Sequence, residues 1–357
     1  MEMIFVLLFL GLTCGVCVRL FAASYMARVH ARENSHIQEL ITSAGEILEG
    51  TDGTVQNFLA LMPDGVADVG MKNILTFEEI WEIVKTGVSL GITHIRITGG
   101  EPLVRKGCAD LILGIRKIPG VETITMTTNG VLLGNYAKQL KEAGVDGVNI
   151  SLDTLDPEEF CQITGKRELP AVLAGIRAAK DAGLPVKLNA VNRKELDPVP
   201  LVRYARNENL PLRFIEMMPV GYGKQYVGRS NEELREMLEK TFGTAEKLVD
   251  SEELSRMGSG PAVYYRFSDL KVPVGFISAI HGKFCDTCNR VRLTAEGYLK
   301  LCLCYDQGVD LRHVLREGEK ENLRTVMEEA IFRKPAAHCF ERPSEMTETH
   351  EMVKIGG

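Results

Sequence analysis

The sequence of 357 residues lacks two features that would each point to a broad class of protein. It has no excess of positive charge, since its formal net charge is −6, so a nucleic acid polymer is not an expected partner. Its nine cysteines follow no regular spacing, which argues against a secreted disulfide scaffold and favours reduced thiols in the cytoplasm. With 45% hydrophobic and 25% charged residues, the chain has the composition of a globular protein.

The sequence also has no apolar run that clearly reaches the length of a membrane-spanning helix. The longest nearly apolar run, from Ile4 to Val18, has fifteen residues. A helix needs roughly 20 to cross a bilayer. Extended over residues 3–23, the run would make an N-terminal anchor with Arg19, Arg28 and Arg32 on the cytoplasmic side. A signal peptide fits poorly, because no positive charge precedes the run. The other interpretations are a buried helix and a segment outside the fold.

From about Leu75 onward, helix-like and strand-like segments alternate. The helical patterns YAKQLKEAG and PAVLAGIRAAKDAG each end in a glycine, which is typical of a helix C-terminus. Apolar, β-branched stretches of strand length are His94 to Thr98, Ile124 to Thr128, Val148 to Leu152, Val186 to Val191 and Leu212 to Met218. The alternation predicts an α/β fold with a parallel sheet, either an open doubly wound sheet or a full or partial barrel.

The character of the sequence changes after about Ser230. A helical pattern leads to two β-rich segments and then to a predicted hairpin with its turn at Ala295 to Gly297. We expect a flexible boundary near Asp250 to Pro261, which is polar and rich in glycine and serine. The predicted organisation is an irregular segment of residues 1–45, a barrel-like region of residues 46–229 and a C-terminal region of residues 230–357.

Three cysteines in the C-terminal region have the spacing of a metal site. Cys285, Cys288 and Cys302 form C-x2-C-x13-C around the predicted hairpin, and soft thiolates select zinc or an iron-sulfur cluster. Cys304 could add a fourth ligand, but in an extended segment its side chain points away from that of Cys302. From the spacing alone, an iron-sulfur cluster, zinc and no metal all stay open. The cysteines at 108, 161 and 339 fit small buried hydrophobic positions.

Four basic residues are candidates for binding a phosphorylated ligand. Arg290 and Arg292 alternate on one face of the predicted hairpin, close to the cysteines. Arg96 and Lys187 lie on predicted strands, whose carboxyl ends share the ligand-binding edge of a parallel sheet. Guanidinium groups bind phosphate oxygens in pairs, so these residues could form a positive pocket. Surface salt bridges are the alternative interpretation.

A specific combination of motifs runs from Met62 to the C-terminus and covers more than four fifths of the chain: MPDGV, LTFEEI, IRITGGEPLVR, TTNG, GVNISLDTLDP, LRFIEMMPVG, FCDTCNRVRLTAEGYLKLCL, KPAAHCF and the terminal IGG. With these motifs the chain resembles the GTP 3′,8-cyclases, the MoaA-type radical S-adenosylmethionine enzymes of molybdenum cofactor biosynthesis. The resemblance implies a partial, TIM-like (β/α) barrel whose open side is closed by a C-terminal α+β region.

The resemblance also implies ligands and the residues that hold them. A 4Fe-4S cluster is expected on Cys285, Cys288 and Cys302, with its open iron at the purine of GTP. The residues implied for GTP are Arg96, Thr127, Lys187, Arg290 and Arg292, and those implied for S-adenosylmethionine are Gly100, Ser151 and Met218. The tail ending in Gly356 and Gly357 resembles one that enters the active site and supports the radical step.

The resemblance implies a radical reaction on GTP that uses S-adenosylmethionine. A 5′-deoxyadenosyl radical takes hydrogen from the ribose C3′ of GTP, and the carbon radical closes onto purine C8 to give 3′,8-cyclo-7,8-dihydro-GTP. The resemblance further implies a homodimer and, downstream in the pathway, a cyclic pyranopterin monophosphate synthase.

The sequence departs from the family at the cluster that generates the radical. The family carries C-x3-C-x2-C just before the Met-Pro pair, where this chain reads TDGTVQNFLALMP from Thr51 to Pro63. Thr54, Phe58 and Leu61 stand at the three cysteine positions, and neither phenylalanine nor leucine can bind iron. Ile47 and Ala60 likewise replace an expected arginine and an expected aromatic residue. We therefore expect a GTP 3′,8-cyclase-like protein that is inactive in cyclisation as written.

Three interpretations of this departure are open. A shifted reading frame or a misassigned start, upstream of a normal or decayed cyclase gene, would explain the unmatched N-terminal segment. A paralogue that lost radical chemistry would keep nucleotide binding and one cluster. A structural or binding module would carry zinc and no iron on the three cysteines.

Overall fold

The computed structural model describes residues 73–226, 228–249, 252–258, 260–318 and 322–350. All elements named below lie in one compact unit that begins at Leu75. The predicted N-terminal anchor, the three substituted cysteine positions and the terminal Gly356 and Gly357 lie outside the described residues. No helix within these ranges combines the length and the apolar character that crossing a bilayer requires.

The main sheet has eight strands in the order β1-β2-β3-β4-β5-β8-β7-β6. The strands are β1 His94–Ile97, β2 Thr123–Thr128, β3 Gly147–Ser151, β4 Val186–Asn192, β5 Leu212–Glu216, β6 Ala245–Lys247, β7 Val263–Phe267 and β8 Val274–Ile277. β1 to β5 and β8 run parallel, and β7 and β6 add antiparallel strands at one edge. The five strands predicted from the alternating pattern are therefore confirmed.

Ten helices accompany these strands among the described residues. They are α1 Phe77–Ser89, α2 Cys108–Arg116, α3 Leu133–Glu142, α4 Pro157–Thr164, α5 Leu169–Asp181, α6 Val199–Glu208, α7 Asn231–Phe242, α8 Glu252–Arg256, α9 Leu311–Arg316 and α10 Leu323–Phe332. A capping box between Thr76 and Glu79 begins α1, because each side chain satisfies a free backbone N–H of the first turn. Gly144 and Gly183 follow α3 and α5 with φ of +94° and +71°, as their positions in the sequence predict.

The two faces of the parallel sheet differ in chemistry because side chains alternate along a strand. One face buries apolar residues such as Ile124, Met126, Ile150 and Leu188 in a core shared with the helices. The other face carries threonine, asparagine, lysine and arginine side chains at the alternate positions. The polar row therefore lies on the concave side of the sheet, away from the helix layer.

Elements of the C-terminal region lie at both lateral edges of the parallel strands β1 to β5. β8 pairs with β5 at one end. A small antiparallel sheet of β9 Arg292–Leu293, β10 Tyr298–Lys300 and β11 Gly308–Asp310 packs with α9 and α10 against α1, which precedes β1 at the other end. This arrangement confirms a mixed α/β fold in which C-terminal elements cover the open side of a partial barrel.

The predicted hairpin is also confirmed. Leu293 pairs with Leu299, and Gly297 in the turn has a φ of +91°. The predicted boundary near Asp250 to Pro261 contains the short helix α8. The predicted domain limits at residues 45 and 229 stay predictions.

Candidate functional site

A row of polar and cationic side chains lines the concave face of the parallel sheet. The strand register places Thr127 beside Asn149, Asn149 beside Lys187, and Asn189 beside Arg213. Neighbours in a parallel register point to the same face of the sheet. At the β1 edge, Arg96 pairs with Thr125 and its Nε donates to Thr125 Oγ1 at 3.4 Å. The fold therefore brings Arg96, Thr127 and Lys187 onto one surface.

Arg213 lies in the middle of this row and was not singled out from the sequence. Its side chain is buried, its Nε donates to Asn189 Oδ1 at 2.9 Å, and its Nη2 donates to Asn149 Oδ1 at 2.5 Å. Gly275 on β8 leaves the space, because a Cβ there would overlap Arg213 and Tyr264. These acceptors are neutral amides, so the charge of Arg213 is not cancelled by them.

Two arginines of the C-terminal region complete the cationic cluster. Arg292 is partly buried, and its Nε has no hydrogen-bond partner among the described residues. The guanidinium of Arg290 lies 4.9 Å from the centre of the Phe284 ring and 3.7 Å from Cys288 Sγ. Arg96 is close enough to Arg213, Arg290 and Arg292 to be repelled by all three. We call these four arginines and Lys187 the cation pocket.

Repulsion and loss of hydration shift the pKa values in the cation pocket. Burial first, and then repulsion by Arg213 and Arg96, lowers the pKa of Lys187 to about 8. Loss of hydration and repulsion by Arg213, Arg290 and Arg292 lower the pKa of Arg96 to about 10, although the residue is exposed to solvent. Lys187 Nζ donates to the carbonyl oxygen of Met257 at 2.7 Å. This concentration of like charge favours an anionic ligand of several charges.

The three candidate metal cysteines lie at the side of the cation pocket. Cys285 begins a single 3₁₀ turn, and the backbone N–H of Cys288 donates to its carbonyl oxygen at 3.0 Å. Cys302 follows β10 by two residues, and both it and Cys288 act electrostatically on Arg292. Burial alone would raise the pKa of Cys288, but the backbone N–H and charge of Arg290, together with Lys334, lower it.

The three cysteines have the chemistry of ligands that bind an iron-sulfur cluster through thiolates. A lowered pKa favours the thiolate at Cys288, which is the form that binds iron. Among the residues that the structure describes, no three His, Cys, Asp or Glu side chains are already gathered as a metal-binding group.

Cys304, the possible fourth ligand, packs against Cys339. Its Sγ lies 3.1 Å from Cys339 Sγ, both side chains are fully buried, and burial raises the pKa of Cys304 to about 12. The residue is thus held as a neutral thiol in an apolar cluster. Cys108 is buried as predicted, whereas Cys161 is only partly buried.

The residues predicted to bind S-adenosylmethionine lie near the carboxyl ends of three parallel strands. Gly100 follows β1, Ser151 ends β3, and Met218 follows β5 and packs against the cluster that contains Ala279. Glu101, next to Gly100, fixes the loop after β1 because its buried carboxylate accepts from Thr128 Oγ1 at 2.8 Å and from the backbone N–H of Asn129 at 2.7 Å. Because parallel strands end at the same edge of a sheet, these positions share that edge, and their role in binding S-adenosylmethionine stays a prediction.

Comparisons with known proteins match both halves of the chain. Residues 63–197 match the Radical SAM superfamily, and residues 210–340 match the family Molybdenum Cofactor Synthesis C. A GTP 3′,8-cyclase of Clostridium perfringens is 41% identical over 80% of this chain and 88% of its own length. The enzymes of that name from Petrotoga mobilis and Pseudomonas putida are 41% and 42% identical, over 83% and 80% of this chain and 91% and 87% of their own lengths.

A solved structure described as native anSMEcpe with bound AdoMet and Kp18Cys peptide is 16% identical, covers 74% of each chain and has a TM-score of 0.46. The family of this chain uses a 4Fe-4S cluster and S-adenosylmethionine. On sequence identity and coverage, this chain belongs to the GTP 3′,8-cyclase family of radical S-adenosylmethionine proteins, which acts in molybdenum cofactor biosynthesis.

Proposed function

We propose that this chain binds GTP and one 4Fe-4S cluster but does not generate the 5′-deoxyadenosyl radical from its own residues. The proposal rests on the residues that precede the region matched to the Radical SAM superfamily. Thr54, Phe58 and Leu61 stand where the first cluster needs three cysteines, whereas the match to the Radical SAM superfamily begins at residue 63. The GTP-binding and C-terminal cluster residues all lie beyond that point and are present.

The cation pocket suits the triphosphate of GTP. Arg96, Lys187 and Arg213 face the concave side of the sheet, while Arg290 and Arg292 approach from the cysteine side. A triphosphate would relieve the repulsion among these groups and give the buried Nε of Arg292 an acceptor. Thr127, on the same face, offers a hydroxyl to the ligand.

The C-terminal cluster would lie on Cys285, Cys288 and Cys302, next to Arg290. When bound, it would supply an iron with an open coordination position for the purine. Gly100, Ser151 and Met218 form the proposed S-adenosylmethionine subsite at the carboxyl edge of the sheet. The tail ending in Gly356 and Gly357, the homodimer and the downstream synthase remain proposals that rest on the family.

Calorimetry of GTP binding to the full-length, anaerobically reconstituted protein tests the pocket. Arg290→Ala removes a charged donor, so the Kd should rise about 10- to 100-fold, as loss of a charge-assisted hydrogen bond implies. Arg167→Ala is the matched control, because Arg167 is exposed and pairs with Glu158. An unchanged Kd for the Arg290 variant would contradict the pocket.

Product analysis tests the missing radical chemistry. With GTP, S-adenosylmethionine and a strong reductant, the reconstituted protein should form no 5′-deoxyadenosine above a protein-free control. Sustained formation would contradict the proposed loss of activity. Zinc without iron in the protein as purified and after reconstitution would instead favour the zinc-binding module.

A further inference from the structure

We propose that Lys334 is a positioning residue of the C-terminal cluster, because its ammonium group joins the two chain segments that carry the cysteines. This inference rests on the proposed function, since it takes Cys285, Cys288 and Cys302 as ligands of one cluster. It concerns a residue that is itself no ligand of the metal.

The end of α10 places this side chain. The helix ends at Phe332, the backbone N–H of Lys334 donates to the carbonyl oxygen of Ile331 at 3.1 Å, and Pro335 prevents the helix from continuing. The half-buried side chain of Lys334 then runs toward the cysteine region instead of along the helix.

Lys334 Nζ contacts both sides of the hairpin. It donates to Cys288 Sγ at 3.6 Å and to the carbonyl oxygen of Leu301 at 3.0 Å. Leu301 directly precedes Cys302, while Cys288 lies before β9 on the other side of the hairpin. One ammonium group therefore sets the distance between the two segments. Arg290 also approaches Cys288 Sγ, at 3.7 Å, but from the same segment.

The residues after Lys334 reinforce this arrangement. The backbone N–H of His338 donates to Cys285 Sγ at 3.4 Å, and Cys339 packs on Cys304. A single segment thus donates hydrogen bonds to two of the three cysteines. Donors to ligating sulfurs orient the ligands, and their charge raises the reduction potential of an iron-sulfur cluster.

The test compares anaerobically reconstituted wild type with Lys334→Met, Lys334→Gln and Lys334→Arg. Arg333→Met is the matched control, because the neighbouring Arg333 is exposed and pairs with Glu329 at 3.4 Å. The readouts are the loss of iron to a ferrous chelator and the reduction potential of the cluster, with thermal unfolding of the metal-free proteins alongside.

Lys334→Met should weaken iron retention about 10- to 100-fold and lower the reduction potential, as loss of an outer-sphere donor implies. Lys334→Gln keeps a donor without the charge, so it should fold as wild type does and still lower the potential. Lys334→Arg should recover part of the potential, and Arg333→Met should match wild type.

The outcomes separate this inference from the proposed function. If wild type takes up about four irons and both Lys334→Met and Lys334→Gln match it in retention and potential, the positioning role is wrong and the proposed function stands. If wild type takes up no iron, the proposed function itself is wrong, and this inference fails with it.

Discussion

Lys187 shows how the charge of a single residue depends on its neighbours in the fold. Its pKa of about 8 follows from burial and from repulsion by Arg213 and Arg96. The lysine is therefore charged below about pH 8 and neutral above it, whereas Arg96, with a pKa of about 10, keeps most of its charge at pH 9. A triphosphate binds the charged form more tightly and so should draw a proton onto Lys187.

We therefore expect GTP binding to weaken by up to about ten-fold between pH 7 and pH 9, with proton uptake on binding at pH 9. Calorimetry in two buffers of different ionisation enthalpy measures both effects. Lys187→Met is the control and should bind more weakly but without this pH dependence. A wild-type profile parallel to that of Lys187→Met would show that Lys187 does not meet the phosphates.

At the residue scale, the sequence predicts Arg96, Thr127 and Lys187 because the strands that carry them are recognisable, and the fold places these residues on one face. Arg213 and Lys334 were missed because their roles depend on partners distant in the chain, such as Asn149 for Arg213 and Leu301 for Lys334. Only the strand register and the end of a helix bring those partners together.

At the element scale, the contact between α5 and the turn after β2 controls the position of the ligand-binding edge. Gly175 in α5 lies so close to Gly130 that an added Cβ would overlap the carbonyl oxygen of Gly130. That turn follows Thr127 and Thr128 and has a φ of +83° at Gly130. The helix can pack this closely because position 175 has no side chain.

Gly175→Ala should therefore destabilise the protein by about 1 to 3 kcal/mol, the usual cost of overpacking. Chemical denaturation measures this change in the free energy of unfolding. Gly134→Ala in α3 is the matched control, because nothing lies within 4 Å of its added Cβ. It should leave stability unchanged or raise it by up to about 1 kcal/mol. Equal effects of the two substitutions would contradict the close packing.

A buried ion pair fastens the C-terminal segment to β10. Lys300 and Glu348 have side chains only 3% and 0% exposed, and they form a direct salt bridge. Lys300 Nζ also donates to the carbonyl oxygen of Tyr305 at 3.0 Å, and Glu348 accepts from the backbone N–H of His350 at 2.7 Å. Breaking such a pair leaves a buried charge without its partner.

Lys300→Met should cost about 3 to 5 kcal/mol of unfolding free energy, measured by chemical denaturation. The double variant Lys300→Met with Glu348→Leu removes both charges and should recover most of that loss. If the double variant were no more stable than Lys300→Met, the loss of unfolding free energy would not arise from the buried Glu348 carboxylate left without its partner.

At the scale of the whole molecule, the sequence predicts the fold well because its strands and helices alternate at regular intervals. The parallel strands β1 to β5 and the hairpin of β9 and β10 follow from that pattern. The pattern could not show that β8 continues the parallel sheet after β5, because that pairing bridges a long stretch of intervening chain. It also could not show that α9 and α10 pack on α1, which is a contact between distant segments.

The central claim is that the protein holds the C-terminal cluster of its family but not the one that generates the radical. The most direct test is the iron content of the full-length protein after anaerobic reconstitution, with Cys288→Ser as a control for the C-terminal site. We predict about four irons per chain, and a large loss of iron in the variant. About eight irons per chain, or no bound iron at all, would contradict the claim.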